Sequence, residues 1–434
     1  MKRTLTTDIN RQIGKEITLY GWIHKLRKLG GISFIVLRDR AGLAQAVIDG
    51  ARENDKLKEL TTETVVKITG KVVKEERAPY GAELHDAKIE VLSPVKEDIP
   101  IAINKKEINV NLDTLLDNRP ITLRSPKQRA IFKVQAEIVD EFRKFLTQEG
   151  FTEINSPSIV SSGLETGGAE MFEVKYFKQK AFLSQSPQMY KQILVGVYER
   201  VFETAYMYRA EKHSTSRHLN EYMSLDLEMG FINSWEDIMD LEEKYLNVLI
   251  EKLGKNCTEQ FEMLGIDLPQ MSKRIPRMKL IEAQEILEKE YREKCLGAPD
   301  LDPKQERQIC EYAAKKHGSE FVFITHYPSK KRPFYTYDDP DNPKETLSFD
   351  LLFRGQEVTT GGQRLHIYED YIKKMKDRGM DPKNFEDYLS AFRYGMPPHG
   401  GLAIGLERLT ARLLNLDNIR EASLFPRDIN RLRP

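Results

Sequence analysis

The chain has 434 residues, of which 40% are hydrophobic and 31% are charged, and its 67 basic groups balance its 67 acidic groups. This length exceeds what one hydrophobic core usually serves, so two or three domains are expected. The balanced charge excludes a generally polycationic nucleic-acid coat, although a local basic surface is compatible with it.

Three cysteines without CxxC spacing indicate neither a disulfide framework nor a zinc site, which fits a reducing compartment. The N-terminus lacks the apolar core of a secretion signal, and no run is long enough to span a bilayer. We therefore expect a cytoplasmic protein that has no membrane partner.

Residues 15 to about 95 are rich in β-branched and aromatic side chains, which favour strands. Turns are predicted at Gly30–Gly31, Asp39–Gly42 and Gly70. The predicted strands are Ile17–Ile23, Ile32–Leu37, Leu43–Ile48, Val65–Thr69 and Ala87–Leu92. Five short strands are too few for a sandwich and suit a small closed barrel such as the OB-fold.

Prolines interrupt regular structure from residue 93 to about 125, which divides the chain into a first domain (1–100), a hinge (101–125) and a second domain (126–434). Apolar spacing predicts a helix over 127–149 that ends at Gly150. Beyond it, strands alternate irregularly with helices, and a charged helical stretch at about 235–320 looks like an insertion. This pattern predicts a large α+β domain.

Two arginines of the second domain lie in segments suited to a polyphosphate. Arg209 belongs to Tyr208–Glu211, which precedes Arg217–Tyr222, and Arg408 ends the run Gly400–Arg408. Arginine keeps its charge at any working pH and offers forked donors that match phosphate oxygens. The pair therefore indicates a nucleotide-using enzyme.

With Gly150–Pro157, these segments resemble, in order and spacing, the three signature motifs of class II aminoacyl-tRNA synthetases. Five further segments resemble archaeal and eukaryotic-type aspartyl-tRNA synthetases: Gly167–Phe172, Leu183–Gln192, Phe349–Arg364, Arg393–Gly401 and Leu424–Asp428. The resemblance covers essentially the whole chain. It implies an OB-fold anticodon-binding domain, a catalytic domain built on an antiparallel sheet flanked by helices, and a homodimer formed through the first motif.

By this resemblance Arg209 bridges the α-phosphate of ATP and the substrate carboxylate, while Arg408 grips the γ-phosphate and stacks on adenine. Arg217 and His218 would contact the terminal phosphates, and Tyr222 would face the adenine. Four more residues complete the implied ATP site: Glu211, Leu219, Glu357 and Gly405. Arg209, Arg408 and Glu357 are the implied catalytic residues, and Ala403 stands where the family often has glycine.

The implied aspartate pocket needs cations at one end and an acid at the other. Lys191 and Arg364 resemble the clamp on the side-chain carboxylate, and Glu170 and Gln188 fit the ammonium end. Arg209 and Thr360 complete the set. An asparagine pocket would not need two cations, because unpaired buried charge is heavily penalised. The alternatives are that Lys191 is a solvated helix residue and Glu170 an N-capping acid.

Mg²⁺ prefers hard oxygen ligands and bridges phosphate oxygens with few protein carboxylates. The resemblance implies Glu357 as its principal ligand, helped by Asp350 and by Thr360, where related enzymes often carry serine. The alternative for Asp350 is a salt bridge to Arg354 or another arginine.

In the first domain, Phe34 and Gln45 match the family's anticodon residues, a stacking platform and an amide that reads a base edge. Stacking of a base on an aromatic ring contributes about 1–3 kcal/mol. Glu83 matches the acid near the third anticodon base, and the cluster His24–Lys28 supplies positive charge. The alternative is that Phe34 belongs to the barrel core.

Archaeal-type relatives restricted to tRNA(Asp) tend to have tryptophan at the position of His24 and lysine at that of Pro79. Histidine and proline resemble the relaxed type, which also charges tRNA(Asn). The two anticodons differ only at the third base, so looser contacts there could suffice. A relaxed enzyme would leave Asp-tRNA(Asn) to a downstream amidotransferase.

The sequence thus predicts an aspartate–tRNA ligase that uses ATP, Mg²⁺ and L-aspartate. The alternatives are a strictly discriminating aspartyl enzyme, an asparaginyl-tRNA synthetase, a non-catalytic tRNA-binding paralogue, and a tRNA-independent amide ligase on the same fold. Arg364 with Lys191 argues against the asparaginyl enzyme, and intact Arg209, Arg408 and Glu357 argue against the paralogue.

Overall fold

The computed structural model describes residues 3–29, 32–105, 107–161, 170–212 and 215–434. The predicted turn at Gly30–Gly31 and the segment 167–169 lie outside these ranges. The chain separates into two compact units, Met1–Ser125 and Pro126–Pro434. Every described helix is too short or too polar to cross a bilayer.

The first unit is a closed barrel of five strands in the order β1-β2-β3-β5-β4, which confirms the predicted fold. The strands are β1 (Glu16–Leu29), β2 (Ile32–Arg38), β3 (Leu43–Ile48), β4 (Val65–Lys74) and β5 (Ala82–Ser93). Alternate residues point inward, so Ile35 and Leu37 of β2 lie in the barrel core with Leu19 and Ile68.

The turn predicted at Gly70 is wrong, because Gly70 lies inside β4. The pairing of β4 with β5 shifts between Thr69 and Lys71, which is a β-bulge. A Cβ atom at Gly70 would come within 2.7 Å of the His85 carbonyl oxygen. Glycine is therefore needed here for the close approach of two strands and not for a turn.

The predicted hinge at 101–125 contains two short helices. The helices of the first unit are α1 (Ala51–Lys56), α2 (Leu112–Asp117) and α3 (Arg119–Thr122), with 3₁₀ turns at Thr6–Gln12, Leu57–Glu59 and Pro79–Gly81. Asn111 caps α2 by accepting a hydrogen bond from the Thr114 amide at 2.8 Å.

The second unit is built on an eight-stranded sheet in the order β12-β13-β14-β15-β16-β11-β10-β6, and β7, β9 and β8 form a small separate sheet. The strands from β13 to β10 are antiparallel, as predicted, whereas β12 and β6 at the two edges pair in parallel. The strands are β6 (Thr152–Glu153), β7 (Ile159–Val160), β8 (Glu173–Tyr176), β9 (Gln179–Leu183), β10 (Arg200–Tyr208), β11 (Glu221–Gly230), β12 (Arg277–Lys279), β13 (Phe321–Thr325), β14 (Ser348–Phe353), β15 (Gln356–Gln363) and β16 (His399–Gly405).

The helices of the second unit flank this sheet. They are α4 (Pro126–Gln148), α5 (Gln188–Tyr198), α6 (Glu236–Asn256), α7 (Thr258–Leu264), α8 (Leu280–Tyr291), α9 (Pro303–His317), α10 (Tyr368–Asp377), α11 (Glu386–Arg393) and α12 (Leu406–Leu413), with 3₁₀ turns at Pro382–Phe385 and Ile419–Ala422. The helix predicted over 127–149 is α4. Its end is capped as expected: Gly150 has φ +82°, and the Phe151 amide donates to the Leu146 carbonyl at 2.9 Å.

The stretch predicted as an insertion, about 235–320, has two parts. Ile238, Leu246 and Leu249 of α6 lie in the main hydrophobic core together with residues of α4, so this part belongs to the body of the unit. Helices α8 and α9 form a second apolar cluster against β13 and β14.

Strand β11 shows how the sheet separates its two faces. Leu225, Leu227 and Met229 point into the main core. The intervening Tyr222, Ser224, Asp226 and Glu228 point the other way because successive side chains of a strand alternate. This second face carries the polar cavity described below.

Glu242 of α6 is a carboxyl group buried in the main core, where it accepts a hydrogen bond from the Thr359 hydroxyl at 2.6 Å. Burial raises the pKa of Glu242 from its usual 4.5 to about 8, and the hydrogen bond only partly opposes this. Between pH 4.5 and 8 the folded protein therefore retains a proton that the unfolded chain has lost. The free energy of unfolding should consequently fall as pH rises through this window.

We expect Glu242→Gln, which keeps an acceptor for Thr359, to remove the contribution of this group to that slope, while Glu306 and Asp350, whose pKa values are also raised, keep theirs. At pH 8.5 the variant should be more stable than the wild type by on the order of 3 kcal/mol. Urea unfolding at pH 5.5 and 8.5 measures the difference. Equal pH dependence in the two proteins would contradict an ionisable Glu242 in the core.

Candidate functional site

A polar cavity of about 630 Å³ lies on the second face of the large sheet, between β11, β15, β16 and the segment 327–336. All nine residues predicted to bind ATP line it: Arg209, Glu211, Arg217, His218, Leu219, Tyr222, Glu357, Gly405 and Arg408. Three further predicted residues, Gln188, Thr360 and Arg364, line the same cavity. The structure thus brings together side chains that are up to 220 positions apart in the sequence.

Arg209 is held at the end of β10 by the neighbouring chain. Its amide donates to the Asn220 carbonyl at 2.9 Å, and its own carbonyl accepts from the Asn220 side chain at 2.7 Å. The guanidinium lies over the Tyr222 ring, 5.4 Å from its centroid. Within the described residues the buried Nε of Arg209 has no hydrogen-bond partner. The guanidinium of Arg209 therefore lies at the cavity and retains an N–H donor that a ligand can use.

Arg408 lies in the first turn of α12 and reaches back to β15. Its Nη1 is 3.4 Å from a carboxylate oxygen of Glu357, and the same carboxylate accepts from the Thr360 hydroxyl at 2.9 Å. Burial alone would raise the pKa of Glu357, but the Arg408 charge and the Thr360 hydrogen bond outweigh it, so the pKa is lowered. Glu357 is thus kept as an anion beside an arginine.

Arg217 and His218 lie in the loop just before β11, and both line the cavity. The Nη2 atom of Arg217 donates to the Glu306 carboxylate of α9. Burial raises the pKa of Glu306 to about 7, against the lowering effect of Arg217. Burial and the Arg408 charge lower the pKa of His218, so this imidazole is neutral at physiological pH.

Arg364 forms the far wall of the cavity. Its Nε donates to Glu228 at 2.9 Å, and its Nη2 donates to the Gly401 carbonyl at 3.0 Å and to the Gln188 amide oxygen at 3.3 Å. Gln188 in turn donates to the second oxygen of Glu228 at 3.0 Å. Among the described residues the Nη1 atom of Arg364 has no hydrogen-bond partner.

Glycine is required at position 401 for this wall to form. A Cβ atom there would overlap the Leu227 carbonyl and the carboxylate of Glu228. Burial alone would raise the pKa of Glu228, but the Arg364 and Lys191 charges lower it. The Glu228 carboxylate therefore occupies the space that a side chain at position 401 would need, and it is kept ionised by Arg364 and Lys191.

Lys191, predicted to clamp the substrate, lies behind the lining of the cavity. It is fully buried, and its Nζ donates to Asp226 at 2.7 Å and to the carbonyls of Leu402 and Leu227 at 3.3 and 3.4 Å. The suggestion that it is a solvated helix residue is thereby wrong. The described contacts pair both cations of the pocket with acids, Lys191 with Asp226 and Arg364 with Glu228.

Two other residues predicted to belong to the site, Glu170 and Asp350, are not among the described residues that line the cavity. Glu170 is exposed and forms an ion pair with Lys212. Asp350 is buried and pairs with Arg332 at 2.8 Å, as one alternative anticipated. Burial raises the pKa of Asp350 to about 6, and Arg332 opposes this.

Sequence reasoning missed several residues of the site. Asp226 and Glu228 stood out as acids at alternate positions of an otherwise apolar strand, and that signal could have found them. Arg332 and Lys331 belong to the cationic run before Pro333 and line the cavity together with Asp300. Their roles depend on a chain reversal that no local pattern indicates.

Of the predicted anticodon residues, Phe34, Gln45 and Pro79 are partly exposed at the surface of the first unit, whereas His24 and Glu83 are buried. Phe34 is partly exposed and alternates with the core residues of β2, so the suggestion that it is a core residue is wrong. Gln45 pairs with Glu83 across β3 and β5, and its Nε2 donates to Glu83 at 2.7 Å. The other Glu83 oxygen lies 2.8 Å from the His85 ring. This arrangement turns the amide oxygen of Gln45 away from Glu83.

His24 and Pro79 occupy different settings in this unit. His24 is the extra residue of a bulge in β1 and is buried, with its Nδ1 3.4 Å from Arg38. Arg38 is held by Glu63 through two hydrogen bonds of 2.8 Å. Pro79 opens the 3₁₀ turn between β4 and β5. His24 therefore supports the surface from within.

Comparison with known families agrees with this architecture. Residues 111–429 match the family of class II tRNA synthetases (D, K and N), and residues 17–92 match the OB-fold nucleic acid binding domain. An asparaginyl-tRNA synthetase from Pyrococcus horikoshii, solved with asparaginyl-adenylate, superposes with a TM-score of 0.92 at 33% identity over all of both chains.

Curated relatives extend over the same length. A protein named aspartate–tRNA(Asp/Asn) ligase in Thermus thermophilus is 48% identical over all of both chains. One named aspartate–tRNA(Asp) ligase in Pyrococcus furiosus is 40% identical over 99% of this chain and 98% of its own. The family match covers more than half of the sequence and includes the residues around the cavity, so the chain belongs to the class II tRNA synthetases (D, K and N) and is an aminoacyl-tRNA synthetase.

Proposed function

We propose that this synthetase is an aspartate–tRNA ligase that charges both tRNA(Asp) and tRNA(Asn). The observation that carries the proposal is that Arg209 and Arg408 line one cavity with Arg364. The first two suit a bound triphosphate, and the third offers a free guanidinium nitrogen to a second carboxylate. The name of the Thermus thermophilus relative, 48% identical, supports aspartate and the broad tRNA range.

Lys191 and Arg364, which the sequence predicts as two unpaired cations facing the substrate, are each paired with an acid. Because neither cation is unpaired, charge balance alone does not exclude asparagine. The support comes instead from the open Nη1 of Arg364, which can donate to a side-chain carboxylate, and from the orientation that Glu228 and Gln188 impose on it. Gln188 also remains close enough to meet the substrate ammonium group.

In the proposed reaction the α-carboxylate of aspartate attacks the α-phosphorus of ATP, and pyrophosphate leaves with the electrons of the broken P–O bond. Two anions must meet, so the main tasks are positioning and neutralisation of charge. Arg209 bridges the reacting groups, and Arg408, Arg217 and neutral His218 hold the leaving phosphates. A hydroxyl of the terminal adenosine of the tRNA then takes the aspartyl group, and AMP leaves.

Class II synthetases use ATP and typically Mg²⁺. The residues present fit the ion, because Glu357 and Thr360 offer hard oxygen atoms at the cavity wall. Asp350, which pairs with Arg332 through Oδ1, would have its other carboxylate oxygen left to offer to the ion. When bound, the ion would neutralise phosphate charge beside the arginines.

On the first unit, Phe34 would stack on an anticodon base, while Gln45 and Glu83 would read base edges. Glu83 is already engaged by Gln45 and His85, so its position is set before tRNA arrives. The homodimer implied by the first motif and the amidotransferase acting on Asp-tRNA(Asn) also belong to the proposal. Val197, Tyr198 and Phe231 are exposed apolar side chains near one end of the β10–β11 hairpin, which supports a subunit contact there.

One experiment separates the candidate functions. The enzyme is incubated with ATP, labelled aspartate or asparagine, and transcripts of tRNA(Asp) or tRNA(Asn). We expect aspartate on both tRNAs, with rates within about tenfold of each other, and no asparagine on either. Heat-inactivated enzyme is the control.

Each other outcome assigns the chain to a rival. Aspartate on tRNA(Asp) alone makes the enzyme strictly discriminating. Asparagine on tRNA(Asn) alone makes it an asparaginyl enzyme. No charging of any combination would support the non-catalytic paralogue and overturn the proposal.

A further inference from the structure

We infer that Glu306 of α9 is a positioning residue that orients Arg217 for the terminal phosphates of ATP, so that the α8–α9 segment completes the phosphate end of the cavity. The inference rests on the proposed function, since it concerns ATP. It gives a role to the part of the chain that the sequence motifs leave unassigned.

The guanidinium of Arg217 contacts Glu306 through one nitrogen and faces the cavity with the others. Its Nη2 donates to Glu306, while Nε and Nη1 have no hydrogen-bond partner among the described residues. Arg217 lines the cavity, whereas Glu306 lies outside the described lining. The carboxylate therefore holds the guanidinium from behind, and two nitrogens remain available to phosphate oxygens without breaking the ion pair.

Helix α9 places Glu306 rigidly. The helix begins at Pro303 with a capping box, in which Asp302 accepts from the Gln305 amide at 2.9 Å and the Gln305 side chain accepts from the Asp302 amide at 2.9 Å. Ile309, Cys310 and Ala313 lie on the same helical face as Glu306 and pack into the apolar cluster of β13 and β14. The packing of that face fixes the direction of the carboxylate.

The segment 215–218 needs such an external support. Arg217 follows a polar turn in which its amide donates to the Thr215 hydroxyl at 3.2 Å, and the loop is joined to the Ile419 amide through the Ser216 carbonyl at 3.0 Å. Those contacts hold the backbone only. An arginine side chain carries about 2 kcal/mol of rotamer entropy, and Glu306 restricts it before ATP binds.

A second contact joins the same segment to the cavity. Asp300, just before α9, pairs with Lys331 at 3.0 Å, and both residues line the cavity. The α8–α9 segment thus contacts two cations at this end of the cavity, Arg217 before β11 and Lys331 in the 327–336 segment.

The test is pyrophosphate exchange with Glu306→Ala and Glu306→Gln. We expect the alanine variant to raise the KM for ATP on the order of tenfold, and glutamine, which keeps an acceptor, to raise it less. kcat and the KM for aspartate should stay within about twofold. The inhibition constant of AMP, which lacks the terminal phosphates, should not change. Glu311→Ala, an exposed position on the same helix, is the matched control.

The double variant Arg217→Ala/Glu306→Ala should be no worse for ATP than Arg217→Ala alone, because the two residues act as a unit. Additive losses, equal weakening of AMP and ATP, or an unchanged KM for ATP would each overturn the inference. Absence of exchange in the wild type would instead remove the proposed function.

Discussion

Replacing Arg364 with methionine should lower aspartate-dependent pyrophosphate exchange by at least about 10³-fold, because truncating one partner of a buried charge pair costs several kcal/mol. Methionine fills similar space but has no donor for a substrate carboxylate. The guanidinium also donates to the Gln188 amide oxygen through Nη2. The variant therefore loses the guanidinium itself and one of the contacts that orient Gln188. Exchange at saturating ATP and varied aspartate measures the effect.

The variant also removes the guanidinium partner of the buried Glu228, which then keeps the Gln188 amide and Lys191 at 3.7 Å, and this should destabilise the fold by about 3–5 kcal/mol. The double variant Arg364→Met/Glu228→Gln removes both charges and should recover most of that stability without recovering exchange. Arg354→Met is the matched control, because Arg354 pairs with Glu320 at 2.8 Å outside the cavity. Near-normal aspartate activation in either Arg364 variant would refute the assignment of the pocket.

Replacing Arg209 with alanine should lower kcat for exchange by about 10²–10³-fold, the usual effect of removing one donor that stabilises developing charge. Because the proposed reaction puts Arg209 at the reacting phosphorus, the loss should appear in kcat more than in the KM for ATP. Arg217→Ala should show the opposite division, since in the proposed reaction Arg217 contacts only the leaving phosphates. Exchange kinetics at varied ATP distinguish the two patterns.

Arg209→Lys is the informative companion. Lysine keeps the charge but loses the fork and the contact with the Tyr222 ring, so we expect little recovery of kcat. Direct calorimetry of ATP binding to Arg209→Ala checks that the site still forms. A variant that retains kcat but binds ATP poorly would place Arg209 on the leaving phosphates and contradict the proposed reaction.

Several features of the protein were predictable because their signals are local. The barrel strands follow from β-branched runs between turns, and the helix ending at Gly150 follows from apolar spacing and a glycine with positive φ. All nine predicted ATP residues line one cavity because they lie on only three chain segments, around β10–β11, β15 and β16–α12. A short motif specifies a hairpin or a strand–helix turn, and the direction of its side chains follows.

The surroundings of those residues were decided by contacts between distant parts of the chain. Lys191 proved to be buried against Asp226, Arg364 is held by Glu228, and Arg217 is held by Glu306, which lies 89 positions away. A buried charge requires a partner, but nothing in the local sequence tells which partner it finds. The amino-acid order thus determined the barrel, the motifs and the arginines that are proposed to bind phosphate. Only the tertiary structure determined the ion pairs of Lys191, Arg364 and Arg217, because each pair depends on how the strands of the sheet and the α8–α9 segment pack together.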